Sequence, residues 1–171
     1  MSPAFWSQVD RFARNLLPGA LCFALAMLSM VPVRIQGYTE IAPMWTVMGV
    51  CYWSIARPDL LRPHMAFAIG VFEDVLVGDP LGINALVLLI VHGLLAVQQR
   101  FFFGKPFFVW WWALGLVAAM ASLVKWVLFA IVEEVWVMPQ MVFVGYVATV
   151  ALYPALGWVF ARVEMALARE G

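Results

Sequence analysis

The chain has 171 residues, of which 65% are hydrophobic and 12% are charged, and its mean hydropathy is +0.95. Soluble domains carry only about 45 to 50% apolar residues, so the composition indicates a polytopic membrane protein and excludes a soluble catalytic domain. Ten basic and ten acidic residues give a net charge of zero, which argues against a nucleic-acid partner because phosphate binding requires a basic surface.

The chain opens with an amphipathic stretch. Four apolar residues recur there at helical spacing: Phe5, Val9, Phe12 and Leu16. Residues 1–15 are therefore predicted to form a helix that lies in the membrane interface. A cleaved signal peptide is the alternative, since a basic stretch precedes an apolar run that contains Ala24 and Ala26. The run continues beyond those small residues, which favours the interfacial helix.

Residues 16–171 are predicted to form a single all-α domain of six transmembrane helices. The apolar segments run from Leu16 to Val33, Pro43 to Ala56, Pro63 to Val77, Leu81 to Val97, Phe108 to Ile131 and Pro139 to Phe160. A helix needs about 20 residues to cross a bilayer, and the second and third segments are shorter than that. We expect those two helices to be broken, re-entrant or shielded by their neighbours.

The positions of the basic residues predict how the helices are oriented. Cytoplasmic connections retain Lys and Arg, and placing both termini inside puts most of the ten cations there: Arg11, Arg14, Arg57, Arg62, Arg100, Lys105, Arg162 and Arg169. Only Arg34 then lies in an outer connection, and Lys125 lies within the fifth segment. The sequence therefore predicts a multi-pass membrane protein with cytoplasmic N- and C-termini.

Motifs of enzyme chemistry are absent from the sequence. It contains no Gly-rich phosphate loop, no nucleophile elbow, no HExxH and no CxxC. Cys22 and Cys51 fall in apolar segments and are predicted to be free, buried thiols. His64 and His92 are too isolated to suggest a metal site and are predicted to be packed or interfacial. We accordingly predict no catalytic residue, no cofactor and no metal.

Two adjacent carboxylates, Glu73 and Asp74, lie in the third apolar segment. Ionisable residues in a membrane helix are costly and usually mark a site or a paired charge. Lys125 of the fifth segment lies at a similar depth, which predicts an intramembrane ion pair between Asp74 and Lys125. A proton or cation site built from the two carboxylates, as in a proton-coupled carrier, is the functional alternative. The structural alternative is that the side chains of these ionisable residues simply reach the outer interface of the membrane.

A tight turn follows the two carboxylates. Asp79 and Pro80 favour a turn, while Gly78 and Gly82 allow backbone angles that other residues resist. Asn84 lies one turn into the next helix, where its side chain is within reach of this turn or of Asp74. The third and fourth helices are therefore predicted to form a hairpin without a sizeable outer loop.

A longer pattern surrounds this turn. It consists of Tyr52-Trp53, Arg57-Pro58-Asp59, Phe67 and Gly70, Asp74, and the run Gly78-x-Pro80-Leu81-Gly82-x-Asn84-Ala85-Leu86. These residues resemble the signature of the MreD family of rod shape-determining proteins. Glu73 and Lys125 depart from the family pattern. The resemblance implies that the fold is similar to that of the substrate-binding subunits of energy-coupling-factor transporters, which also have six helices.

The same resemblance implies a non-enzymatic scaffold of the cell-elongation complex in the bacterial inner membrane, which controls cell shape. Its implied partner is an MreC-like protein, which connects it to MreB, RodA and a penicillin-binding transpeptidase that act in peptidoglycan synthesis. The fold-critical or partner-facing residues would be Arg57, Pro58, Gly70, Asp74, Gly78, Pro80, Gly82 and Asn84. The alternative is a substrate-binding membrane subunit of a vitamin or small-molecule transporter. Its outer loops would have to supply polar ligand-binding groups, in which this sequence is poor.

Overall fold

The computed structural model describes residues 17–30, 33–35, 38–41, 43–57, 59–102, 104–134 and 138–169. The interfacial helix predicted for residues 1–15 lies outside the described residues. Six helices are described: Leu17–Leu28 (α1), Trp45–Ala56 (α2), Pro63–Val77 (α3), Ile83–Phe102 (α4), Phe107–Glu133 (α5) and Pro139–Arg169 (α6). The protein is thus mainly helical, as the sequence predicted.

A small β-hairpin is present beside the helices and leaves the predicted all-α class unchanged. Val33–Ile35 (β1) and Tyr38–Ile41 (β2) pair antiparallel, with Val33 opposite Ile41 and Ile35 opposite Tyr38. The predicted first apolar segment was extended to Val33, whereas the helix ends at Leu28. Strands of three and four residues are too short for hydrophobic periodicity to distinguish them from the end of an apolar helix.

The short helix α2 forms the centre of the core. It has only 12 residues, or about 18 Å, and all of its residues from Thr46 to Ile55 are buried. It packs against α4, α5 and α6. Its Trp53 is the largest fully buried side chain of the described part of the protein. Because other helices enclose α2, its length need not match the thickness of a bilayer, which agrees with the predicted shielding by neighbours.

Helices α5 and α6 are the two described helices that are long and apolar enough to cross a membrane by themselves. The qualifying segments are Phe107–Glu133 and Pro139–Met165, and both keep most of their surface outside the core. Leu17–Leu28 and Ile83–Gln98 are shorter apolar helices. Apolar side chains on the outside of a helix pair are what contact with lipid requires.

A proline inside α6 removes one helical hydrogen bond, and a side chain of α5 replaces the missing donor. Pro154 has no N–H, so the carbonyl of Val150, four residues earlier, loses its helical donor. The indole Nε1 of Trp111 on α5 donates to that carbonyl oxygen at 3.0 Å. An unpaired carbonyl in an apolar environment would cost several kcal/mol, so this contact both satisfies α6 and ties it to α5.

Both ends of α3 follow from its local sequence. Pro63 occupies the first helical position, where its missing N–H costs nothing, and Gly78 ends the helix in the left-handed conformation. Helix α3 packs most extensively against α4, and α4 also contacts α2 and α5. We call the end of the helix bundle that holds the α3–α4 turn the turn end. The candidate site lies there.

Candidate functional site

Two glycines set the path of the turn between α3 and α4. Gly78 has φ 79° and ψ 19°, and its N–H donates to the backbone oxygen of Asp74 at 3.0 Å. Gly82 has φ 103° just before α4 begins. Residues with a Cβ rarely adopt these angles, so both positions favour glycine for conformational reasons. The chain can therefore reverse between antiparallel helices over very few residues.

The carboxylate of Asp74 caps the beginning of α4. Its Oδ2 accepts a hydrogen bond from the N–H of Gly82 at 2.7 Å, and its Oδ1 accepts one from the N–H of Asn84 at 2.9 Å. The first N–H groups of a helix have no partner within that helix and attract negative charge. Asp74 is only 1% exposed, and these two donors explain how its charge is accommodated inside the protein.

Gly70 allows α3 and α4 to approach closely. A Cβ at this position would lie 2.5 Å from the backbone nitrogen of Ala85 and 2.9 Å from the backbone carbonyl carbon of Asn84. Backbone atoms of a packed helix cannot move aside as the tip of a flexible side chain can. The absence of a side chain at Gly70 therefore places the Asp74 carboxylate, one helical turn later, within reach of α4.

The ion pair predicted between Asp74 and Lys125 is wrong in its acidic partner. The Nζ of Lys125 lies 2.9 Å from Oδ2 of Asp79, which also accepts a hydrogen bond from Nδ2 of Asn84 at 3.0 Å. Similar depth in the membrane did not discriminate between two carboxylates five residues apart. Asp74 is turned toward the beginning of α4, whereas Asp79 in the turn presents its carboxylate to α5.

Glu73 points away from the turn, toward the interior of the bundle. It is 8% exposed, and its Oε1 accepts a hydrogen bond from the hydroxyl of Ser29 at 3.0 Å. Because successive helical residues are about 100° apart, the adjacent carboxylates of Glu73 and Asp74 meet different surroundings. Glu73 and Asp74 therefore do not form one site with two carboxylates.

The side chains at the turn end surround a cavity of about 360 Å³. Every one of the six helices or its adjoining residues contributes to the wall, which is mainly apolar. Its lining residues with polar groups are Ser29, Glu73, Asp79, Asn84, Ser122, Lys125, Trp126 and Tyr146. Ser29 and Ser122 were not predicted, because polar groups were expected in the outer loops, whereas Ser29 follows the end of α1 and Ser122 lies within α5. Marking every polar residue of the apolar segments by its depth would have found them.

The other predicted site residues occupy varied positions. Arg57 is exposed at the opposite end of the bundle, where its Nε lies 3.7 Å from the Asp59 carboxylate. Pro58 lies outside the described residues. Pro80 is partly exposed in the turn. Contact of any of these residues with a partner stays a prediction.

Buried polar and thiol groups away from the turn end serve the core. His92 is buried, and its Nδ1 lies 2.9 Å from the hydroxyl oxygen of Ser54, so its predicted packed position is confirmed. Cys22 and Cys51 are buried and free, also as predicted. Within the ranges that the structure describes, no group of three or more His, Cys, Asp or Glu residues is arranged to hold a metal ion.

Comparison with protein families decides the assignment that the turn suggested. The model of the family described as rod shape-determining protein MreD matches residues 10–163. The chain belongs to the MreD family. MreD family membership carries a role in rod shape determination, and the family description names no catalytic activity. The MreD match includes all of α1 to α5, the whole α3–α4 turn and most of α6.

One curated MreD protein is similar over part of the chain. The rod shape-determining protein MreD of Haemophilus influenzae is 35% identical over 52 residues, which cover 30% of this chain and 32% of that protein. The match thus spans about a third of the length of this relative. No solved structure matches the chain, so the similarity to substrate-binding subunits of energy-coupling-factor transporters stays a prediction.

Proposed function

We propose that this MreD family protein is a non-enzymatic scaffold of the complex that elongates rod-shaped bacterial cells. It binds an MreC-type partner and, through it, links MreB to peptidoglycan synthesis by RodA and a penicillin-binding transpeptidase. The observation that carries this proposal is the family match over residues 10–163, which includes nearly every element of the fold. A scaffold acts through its surfaces, so the exposed parts of the molecule are where the partner is expected.

In the proposed orientation all six helices span the inner membrane and both termini are cytoplasmic. Four basic residues support it, because they lie at the end of the bundle opposite the turn end: Arg57, Arg62, Arg100 and Lys105. Positive charge is retained on the cytoplasmic side. The turn end, with the β-hairpin and the cavity, then faces the outside of the membrane.

We place the outer contact with the partner at the tip of the α3–α4 turn. Leu81 is 73% exposed there, although it is a large apolar residue. Asp74 and Gly70, by contrast, are buried and act within the fold. Of the residues in the MreD-like pattern, those of the turn tip are therefore the best placed to contact another protein.

Capture of the partner from detergent-solubilised membranes tests the scaffold. A tagged chain should retain an MreC-type protein. Cells that lack the chain should change from rods to spheres. Failure to retain any such protein would contradict the scaffold. Recovery of ATPase subunits or a bound vitamin would instead support the transport-subunit alternative.

A matched pair of variants tests the position of the contact. Leu81→Asp should lower capture of the MreC-type protein and disturb cell shape while the amount of the protein stays unchanged. Val97→Asp is the control, because Val97 is 84% exposed at the opposite end of α4. Equal capture by the two variants would contradict the position at the turn but not the scaffold itself.

A further inference from the structure

The cavity at the turn end is lined by more negative than positive charge. Its charged lining residues in the described part of the protein are Glu73, Asp79 and Lys125. The ammonium of Lys125 is 2.9 Å from Asp79, and it also interacts electrostatically with Glu73. One cation cannot neutralise two carboxylates. When all three groups are ionised, the cavity therefore carries one uncompensated negative charge.

Glu73 forms no ion pair with any residue that the structure describes. Its carboxylate is 8% exposed, and the hydroxyls beside it, those of Ser29 and Thr46, are neutral donors. Asp74 differs, because backbone N–H groups of the α4 terminus compensate its charge. A buried carboxylate without a counter-charge is costly, so Glu73 favours a positively charged occupant of the cavity.

The size and walls of the cavity favour an organic occupant. Its volume of about 360 Å³ falls within the range of about 300 to 1,000 Å³ that ligand pockets have. Val47, Leu88, Trp126 and Phe129 give it apolar walls. A divalent metal ion would need several oxygen or nitrogen ligands, and no suitable group of acidic, His or Cys residues occurs in the described ranges.

We propose that this cavity binds a primary ammonium group carried on an apolar body, with the Glu73 carboxylate as its counter-charge. The ammonium contacts Glu73 beside Ser29, and the apolar body lies against Trp126 and Phe129. The ligand is either a free amphiphilic amine or a membrane lipid with an ethanolamine headgroup, which share a primary ammonium group and an apolar part. Such binding goes beyond the scaffold function and does not depend on it.

Binding of phenethylamine to the purified full chain in detergent tests the proposal. Phenethyl alcohol has the same carbon skeleton without the charge, and isothermal titration calorimetry compares the two probes. The wild-type chain should bind the amine more tightly than the alcohol. Glu73→Gln keeps the size of the side chain but removes its charge, so it should weaken amine binding at least about tenfold and leave alcohol binding unchanged. Glu133→Gln is the control, because Glu133 is exposed at the end of α5 outside the cavity.

A second variant, which should raise amine affinity, tests the proposal even if Glu73→Gln fails to fold. Lys125→Met removes the only cation of the cavity lining in the described residues, so amine affinity should rise instead of falling. Equal binding of amine and alcohol by the wild type, or a Lys125→Met variant that binds the amine more weakly, would overturn the proposal.

Native mass spectrometry distinguishes the two sources of the ammonium group. Preferential retention of phosphatidylethanolamine over phosphatidylglycerol, lost in Glu73→Gln, identifies the lipid headgroup. Amine binding without that lipid preference identifies a free amine. Binding of neither the amine nor the ethanolamine lipid would show that a proton alone neutralises Glu73, and the proposal would then be wrong.

Discussion

Removing the Asp74 carboxylate should destabilise the protein through the beginning of α4. In Asp74→Ala, the N–H groups of Gly82 and Asn84 lose acceptors at 2.7 and 2.9 Å in a site that is 1% exposed. A hydrogen bond to a charged group contributes about 1.5 to 3 kcal/mol, so the two together correspond to about 3 to 6 kcal/mol. Asp74→Asn retains one acceptor oxygen and should lose about half as much.

The free energy of unfolding can be measured by titrating the purified protein in mixed detergent micelles with sodium dodecyl sulfate and following helical circular dichroism. Asp59→Ala is the matched control, because Asp59 is exposed and its charge pair with Arg57 spans 3.7 Å. Surface pairs of this kind contribute at most about 1 kcal/mol. If Asp74→Ala loses no more stability than Asp59→Ala, the capping role of Asp74 is refuted.

The Asp74→Asn variant tests whether Asp74 is critical to the fold or contacts the partner. Asp74 is buried, so Asp74→Asn should lower the amount of protein in cells and the amount of captured partner by the same factor. Normal protein amounts with lost capture would show that Asp74 faces the partner instead.

Two further variants test contacts between neighbouring helices. Trp111→Phe leaves the Val150 carbonyl without its indole donor and should lower the free energy of unfolding by about 1 to 3 kcal/mol. In a Pro154→Ala background the same change should lower it clearly less, and a double-mutant cycle measures the difference. Additive effects in that cycle would contradict the compensation. Gly70→Ala forces α3 and α4 apart and should cost about 1 to 3 kcal/mol in the same titration, while Gly93→Ala, where an added Cβ meets nothing within 4 Å, should not. Equal stability of the two glycine variants would contradict the close approach.

Local sequence signals determined much of the fold. The composition and the apolar segments predicted a membrane protein with six helices, and α3 was predicted at its observed bounds because Pro63 and Gly78 act on the backbone locally. The glycines of the turn were likewise evident, since positive φ angles are a property of single residues. The hairpin of β1 and β2 was missed because so short an alternation resembles the end of an apolar helix.

The candidate site depended on which side chains the packed helices bring together. Depth along the helices predicted Asp74 as the partner of Lys125, but in the folded chain the Asp74 carboxylate accepts from N–H groups at the beginning of α4 and Asp79 forms the pair. The surroundings of Glu73 were not predictable either, because its hydrogen-bond donor Ser29 lies 44 residues away in the sequence.

The sequence by itself determined the family, the membrane environment and the tight turn, because these depend on composition and on residues close together in the chain. Tertiary structure alone decided that Asp79 pairs with Lys125 and that a cavity lies beside Glu73. The physical reason is that an ion pair between the α3–α4 turn and α5 and a cavity between six helices arise from distances across the bundle, which no local pattern encodes.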